Sequence, residues 1–340
     1  MTEMFNVLQI GFGPMGQLIT KLLLKRENIN LRGIIDIAPD LAGKKLEELI
    51  EDTTAPDMII KSDLEKFLEE EDVDVAIVAT TSFFGKIAST IIKCLEAGAN
   101  VISLCEQLSY PWEFHPDLSA KIDGVAKDKE LTVVGSGINP GYLMDLLPIV
   151  LTAPCETVDK IHVTRMMNSI HRRIPFQKKI GTCLSVEEFE KKISEKEITG
   201  HVGLEESMQM IVAALGFKVD EIVEYPPKPV LAEEELDTPL GKVEKGNVRG
   251  LHSKGAAKQG EEEIIILDFY AYAGDHEEYD SVEIEGIPNI KQKIEGGVHG
   301  DIGTASMIVN LIPKVYSAQP GLLTMKDLPA PCNTARIWKK

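Results

Sequence analysis

Glu106, in the run VISLCEQLSYPW over residues 101–112, ends an apolar stretch patterned like a buried strand. A carboxylate approached through apolar residues is partly desolvated, which raises its pKa and suits it to exchange protons near neutral pH. The same residue could instead cap the loop or join a salt bridge, and its type alone does not separate the two. Nearer the N-terminus, GFGPMG places Gly11, Gly13 and Gly16 directly after a first strand and at the opening of a helix. The first glycine permits a tight turn, the second lets backbone approach a pyrophosphate, and the third lets helix and strand pack closely. Asp36 closes the second strand 20 residues after Gly16, where a carboxylate can accept both hydroxyls of an adenosine ribose. A turn at the glycines or a cap at Asp36 explains each piece but not the conjunction. The conjunction predicts a nicotinamide dinucleotide held by Gly11, Phe12, Gly13, Pro14, Met15, Gly16 and Asp36.

Asp36 predicts NAD, because a carboxylate repels a 2′-phosphate, while Arg32, Lys44 and Lys45 lie close enough in sequence to keep NADP open. Use of either cofactor is the expectation. Thr80, Thr81 and Ser82, in ATTSFFG between the next strand and helix, are candidates for the pyrophosphate and ribose side or for an N-cap. Asn139, at the Pro140–Gly141 break after a later strand, offers a donor and an acceptor to substrate or nicotinamide; a turn-forming Asn before Pro is the alternative. From Tyr142 onward the pattern suggests a helix whose N–H groups face the same crevice.

These residues need a scaffold, and the first 140 residues supply a repeating one. Apolar runs at 5–13, 30–37, 73–81, 99–106 and 131–138 alternate with helical spacing at 15–26, 63–71, 85–98 and 117–129. Repeated strand–helix units with continuous apolar strands imply an α/β Rossmann-type fold, a doubly wound parallel sheet buried on both faces. Ligands of such sheets bind beyond the carboxyl ends of the strands, where Glu106 is expected.

From about 155 the pattern changes to longer, partly alternating strands at 158–170, 262–274 and 279–286, with one helix at 205–216 to cover them. This suggests an α+β module with an open, largely antiparallel sheet, serving substrate binding and dimerisation over residues 141–300. The dinucleotide domain is then 1–140, with 301–340 packing back onto it through a helix from Ile302 to Tyr316 and the chain passing a hinge twice. Residues 226–250, punctuated by Pro and Gly, suggest a long surface loop. Polar residues in this half that could face the crevice are Arg165, Asn168, His171, Arg172, Arg173, His201, His252 and His299. Arg165 would suit a substrate carboxylate through a bidentate fork.

The bounds agree with a small-molecule enzyme. The chain has 340 residues, 44% hydrophobic and 26% charged, and lacks an apolar run of membrane-spanning length. Its beginning carries no basic segment with a cleavage site, so a cytoplasmic location is expected. Five scattered cysteines argue against a disulfide framework, and the histidine spacing against a metal site. A formal charge of −18 makes nucleic acid an unsuitable partner.

QIGFGPMG, CEQLSYPW, GINPGYLMD and GGVHGDIGTASMIVNLIPKVYSAQPGLLTMKDLP together resemble the 2,4-diaminopentanoate dehydrogenases, part of a wider group with the native amine dehydrogenases and a dinucleotide domain like that of dihydrodipicolinate reductase. The resemblance runs nearly end to end. It implies NAD(P)-dependent oxidative deamination of a diamino acid in ornithine breakdown, with ammonia released, and a homodimer. It puts the family's catalytic glutamate on Glu106 and substrate-pocket positions on Asn139, Arg165, Asn168, His201, His299 and Thr304. Other readings are an amine dehydrogenase for other amines, ketones or 2,5-diaminohexanoate, a cyclic-imine reductase, and a nonenzymatic dinucleotide sensor. The basic, His-containing substrate motif of the imine reductases is not evident, and a sensor has no need of Glu106 or Arg165.

Overall fold

The computed structural model describes residues 4–50, 56–172 and 174–335. The chain divides into two units, Met1–Tyr142 with His299–Lys340, and Leu143–Val298.

In the first unit β1 (Phe5–Ile10), α1 (Pro14–Leu24), β2 (Ile29–Ile35), α2 (Leu64–Glu70), β3 (Val75–Val78), α3 (Phe84–Glu96), β4 (Asn100–Ser103), α4 (Pro116–Asp128) and β5 (Thr132–Gly135) alternate as expected. The strands pair in parallel in the order β5-β4-β3-β1-β2, so strand order reverses at β1 and opens a crevice at its carboxyl end. All four residues of β3, β4 and β5 are buried, which is why these strands show no apolar–polar alternation. Helix α3 lays Phe84, Ile87, Ala88, Ile91, Cys94 and Leu95 on the sheet at helical spacing, and each large side chain there contributes about 1.5–3 kcal/mol of burial.

The second unit contains α5 (Leu146–Leu151), β6 (Thr157–Asn168), α6 (Ile174–Lys179), α7 (Val186–Ser194), α8 (Leu204–Leu215), β7 (Glu221–Leu231), β8 (Leu236–Thr238), β9 (Gly241–Val243), β10 (Val248–Gln259), β11 (Glu262–Tyr272), β12 (Tyr279–Ile287) and β13 (Ile290–Glu295). Its sheet runs β13-β12-β6-β11-β10-β7 and is antiparallel except between β6 and β11. Here two expectations fail. Residues 226–250 are not one loop: they include the end of β7, the β8–β9 hairpin and the start of β10. Pro226, Pro227 and Pro229 sit within a strand because β7 is an edge that pairs only with β10, so their missing N–H groups leave no central ladder broken. The helix expected from Tyr142 begins only at Leu146, where the Asp145 carboxylate accepts the Leu146 N–H.

The chain then re-enters the first unit as α9 (Gly300–Tyr316) and β14 (Gly321–Leu323), the latter extending the parallel sheet beside β5. A strand of three residues is too short to show in the sequence pattern. Among the described residues, no helix is long and apolar enough to cross a membrane.

Candidate active site

The topology sets the predicted first-unit residues in one row along the carboxyl ends of neighbouring strands. Asn139 follows β5, Glu106 follows β4, Thr80–Ser82 follow β3, Gly11–Gly16 follow β1, and Asp36 follows β2. At about 4.8 Å between strands, the strand leading to Glu106 lies about 10 Å from the one leading to the glycines.

The glycine-rich turn is braced by three groups. Gly11 has φ +89°, and a Cβ there would lie 2.5 Å from the Ala79 carbonyl oxygen; a Cβ on Gly16 would lie 2.0 Å from the oxygen of Gly11. Gln9, buried in β1, donates its amide to the Gly11 carbonyl at 2.8 Å. Asp36 accepts the Phe12 N–H at 2.6 Å on one oxygen and the Ala38 N–H at 2.8 Å on the other. Both Asp36 oxygens are thus engaged by backbone N–H groups, one of the glycine-rich turn and one of its own loop, and Asp36 is not the N-cap of α1, α2 or α3. Phe12 is a core residue, packed among Ile34, Leu46, Ile50 and Ile60, so its side chain is withdrawn from any ligand.

Gly13 differs from its two neighbours. Nothing lies within 4 Å of where its Cβ would be, and it caps α1 without any side-chain bond, with Pro14 at the helix start. A helix N-terminus with open space before it matches a pyrophosphate. Beside it a cleft of about 720 Å³ is lined by Gly11, Asp36, Ile37, Thr80, Thr81 and residues of α2 and α3. Its volume and lining fit the adenosine half of a dinucleotide.

Glu106 does not end the strand itself. β4 stops at Ser103, whose hydroxyl donates to the Val78 carbonyl and accepts the Cys105 N–H, and Glu106 opens a 3-10 turn, Glu106–Leu108. The turn is pinned by Ser109, which donates its hydroxyl to the Glu106 carbonyl at 2.7 Å. It lies so close to β5 that a Cβ on Gly135 would stand 2.4 Å from the Leu108 carbonyl carbon. Glu106 is half-buried. Gln107, which the sequence reading passed over, accepts the Phe84 N–H at 3.0 Å. It caps α3 in place of Phe83, which occupies the cap position without a polar side chain, so Thr80, Thr81 and Ser82 are not the cap of this helix. Thr304 in α9 accepts the Ile138 N–H at 3.3 Å, next to Asn139, and the exposed His299 caps α9 through the Ile302 N–H at 3.4 Å.

The chain matches the 2,4-diaminopentanoate dehydrogenase C-terminal domain over residues 142–339. It is 34% identical to the 2,4-diaminopentanoate dehydrogenase of Acetoanaerobium sticklandii over 335 residues, covering 97% of this chain and 94% of that protein. This chain belongs to the 2,4-diaminopentanoate dehydrogenase family. Its fold is shared with an amine dehydrogenase from Mycobacterium smegmatis, TM-score 0.81 at 23% identity over 96% of both chains. A more distant likeness is to dihydrodipicolinate reductase from Paenisporosarcina sp. TG-14, TM-score 0.53 at 12% identity over 95% of this chain and 98% of that one. Membership makes the chain an oxidoreductase, with a nicotinamide dinucleotide as its cofactor.

Within the second unit, the family's C-terminal segment supplies the remaining predicted residues, and they differ in how open they are. Arg165 is not an exposed fork. It is buried, with Nη1 3.4 Å from Asp280 Oδ1 and Nη2 donating to the Val298 carbonyl at 2.7 Å. Asn168 is held locally: its amide donates to the Gly274 carbonyl at 2.7 Å and its oxygen accepts the Ile170 N–H at 3.0 Å, capping the 3-10 turn Ser169–His171. Arg172 lies over the Phe176 ring, and Arg173 is outside the described residues. His252 is elsewhere, stacked on Tyr270 and bonded to Asp268, on the sheet face opposite α8. His201 stacks on Phe269 with ring centroids 4.3 Å apart. Burial pushes its imidazole down to about 3, helped by the charges of Arg165 and Lys179, so the ring is neutral near pH 7.

Proposed function

We propose that this chain catalyses NAD(P)-dependent oxidative deamination of 2,4-diaminopentanoate to 2-amino-4-oxopentanoate and ammonia, reversible as reductive amination, with Glu106 handling the proton. The observation that carries the reading is the place of Glu106: half-buried, on a turn pinned to β5, two strands from the glycine-rich turn. Family membership supplies the substrate class. The first unit is the dinucleotide domain, and the second binds substrate and forms a homodimer. Met166, Ile266, Tyr270 and Tyr272 support that last role, being half-buried on the sheet face opposite α8. We place the enzyme in the cytoplasm and in ornithine breakdown.

A carbon bearing an ammonium cannot release hydride, because the nitrogen lone pair must become part of a C=N bond. Glu106 takes the ammonium proton and then serves the water that displaces ammonia. While ionised it also attracts the substrate ammonium. A bound nicotinamide would supply the hydride acceptor. Asn139, with Thr304 holding the loop beside it, orients the nicotinamide amide or the substrate. The neutral His201 offers a hydrogen bond without adding charge, and Arg165 supplies positive potential for the substrate carboxylate in competition with Asp280. Asn168 and His299 each fix a loop of their own unit, Asn168 through the Gly274 carbonyl and His299 at the start of α9.

The test is NAD(P)H formation from 2,4-diaminopentanoate, with ammonia measured in parallel, for the parent and for Glu106→Gln. The variant should bind cofactor normally and turn over about 10²–10⁴-fold more slowly. A parent inactive on this and related diamines would reject the substrate, and a fully active variant would reject the role of Glu106.

A further inference from the structure

The adenosine end of the cleft is lined by three carboxylates, Asp36, Asp63 and Glu65, and two lysines, Lys86 and Lys93. Lys93 is bound to Glu65, Nζ to Oε1 2.6 Å, which raises the pKa of its ammonium and keeps it charged. Lys86 lies over the Phe83 ring, 5.0 Å from the centroid. Three of the cations around β2 that could otherwise serve a phosphate are paired as well, Arg32 with Glu71, Lys45 with Asp57 at 3.0 Å, and Lys61 with Glu70 at 3.5 Å; Lys44, exposed beside Lys45, is the remaining one.

A 2′-phosphate brings between one and two negative charges into this cleft near neutral pH. The carboxylates there outnumber the lysines, and one of those lysines already has a carboxylate partner. We propose that the Glu65–Lys93 pair is a specificity element, holding the Lys93 ammonium on Glu65 so that the cleft takes NAD(H) in preference to NADP(H). The inference rests on the reading of this cleft as the dinucleotide site. It also says where selectivity can be changed. Asp36 is a poor place, because its two oxygens hold the Phe12 and Ala38 N–H groups and its loss disturbs a turn that both dinucleotides use. Glu65 and Lys93 are exposed enough to be altered without unfolding the unit.

The test measures NADH and NADPH dissociation constants by fluorescence titration for the parent, Glu65→Gln, Lys93→Gln and the double variant. The parent should prefer NADH by roughly tenfold or more, and Glu65→Gln should tighten NADPH roughly five- to tenfold while NADH moves less than about twofold. Lys93→Gln alone should change little, and in the double variant the gain for NADPH should vanish, because the released ammonium is gone. Equal affinity of the parent for both cofactors, or a Glu65→Gln protein with an unchanged ratio, overturns the proposal. So does a double variant that keeps the gain. If neither dinucleotide binds the parent, the cleft itself has been misassigned and the reading under it fails first.

Discussion

Arg165 and Asp280 grip one residue by both its backbone groups: Val298 donates its N–H to Asp280 Oδ2 at 2.7 Å and receives Arg165 Nη2 on its carbonyl at 2.7 Å. The two face each other across the paired strands β6 and β12, and are 3% and 4% exposed. Burial lowers the pKa of the guanidinium and raises that of the carboxyl, each opposed by the charge of the other. Removing one partner leaves an uncompensated buried charge. Asp280→Ala should therefore lose about 3–5 kcal/mol of stability in chemical denaturation, and Arg165→Met with Asp280→Leu should recover much of it.

The three glycines of the turn should separate by experiment. Gly16→Ala meets the Gly11 carbonyl and Gly11→Ala adds a strained φ, so both should lower the melting temperature. Gly13→Ala has open space and an ordinary φ of −63°, so its melting temperature should match the parent while dinucleotide affinity falls at least tenfold. Equal affinity for Gly13→Ala and parent would remove the pyrophosphate from this position.

Gln107 couples the α3 cap to the turn that carries Glu106. Gln107→Ala should destabilise by about 1 kcal/mol as a lost cap. It should also lower kcat with little change in cofactor affinity, because the turn loses one of its anchors while Glu106 remains. Gln107→Glu keeps the acceptor and should restore most of both.

Stability should depend on pH through two second-unit groups with opposite signs. His201 is held far below its ordinary value, so its unfolded form binds a proton that the folded form does not between pH about 6.5 and about 3. Stability is lost as pH falls through that window, and His201→Gln should flatten the loss. Glu224 is pushed up to about 8 by burial and by Glu205 and Glu206. Its unfolded form ionises first, so stability is lost as pH rises from about 4.5 to about 8. Glu224→Gln should raise stability at pH 9 by on the order of 2 kcal/mol, allowing for its partial exposure. Urea midpoints across pH 4–9 decide both.

How much of this could be read from residue order follows from the range of each interaction. Glycine spacing, a carboxylate just after β2 and short apolar runs are local signals, and they located the parallel sheet and the row of residues along its strand ends. The family motifs added the substrate class. Residue order could not say which strands are neighbours, and that alone puts Glu106 between Asn139 and Thr80–Ser82. Nor could it say that β7 is an edge, so its prolines suggested a loop. Gln9 was visible as a polar residue inside an apolar run, but its partner, like that of Gln107, is known only once the chain has turned back on itself. Asp280 lies 115 positions from Arg165, and it is the pairing of β6 with β12 that turns an apparently available guanidinium into one half of a buried ion pair. Local chemistry is written in short windows of sequence, whereas the state of a polar group depends on which distant group folding brings within 3 Å of it.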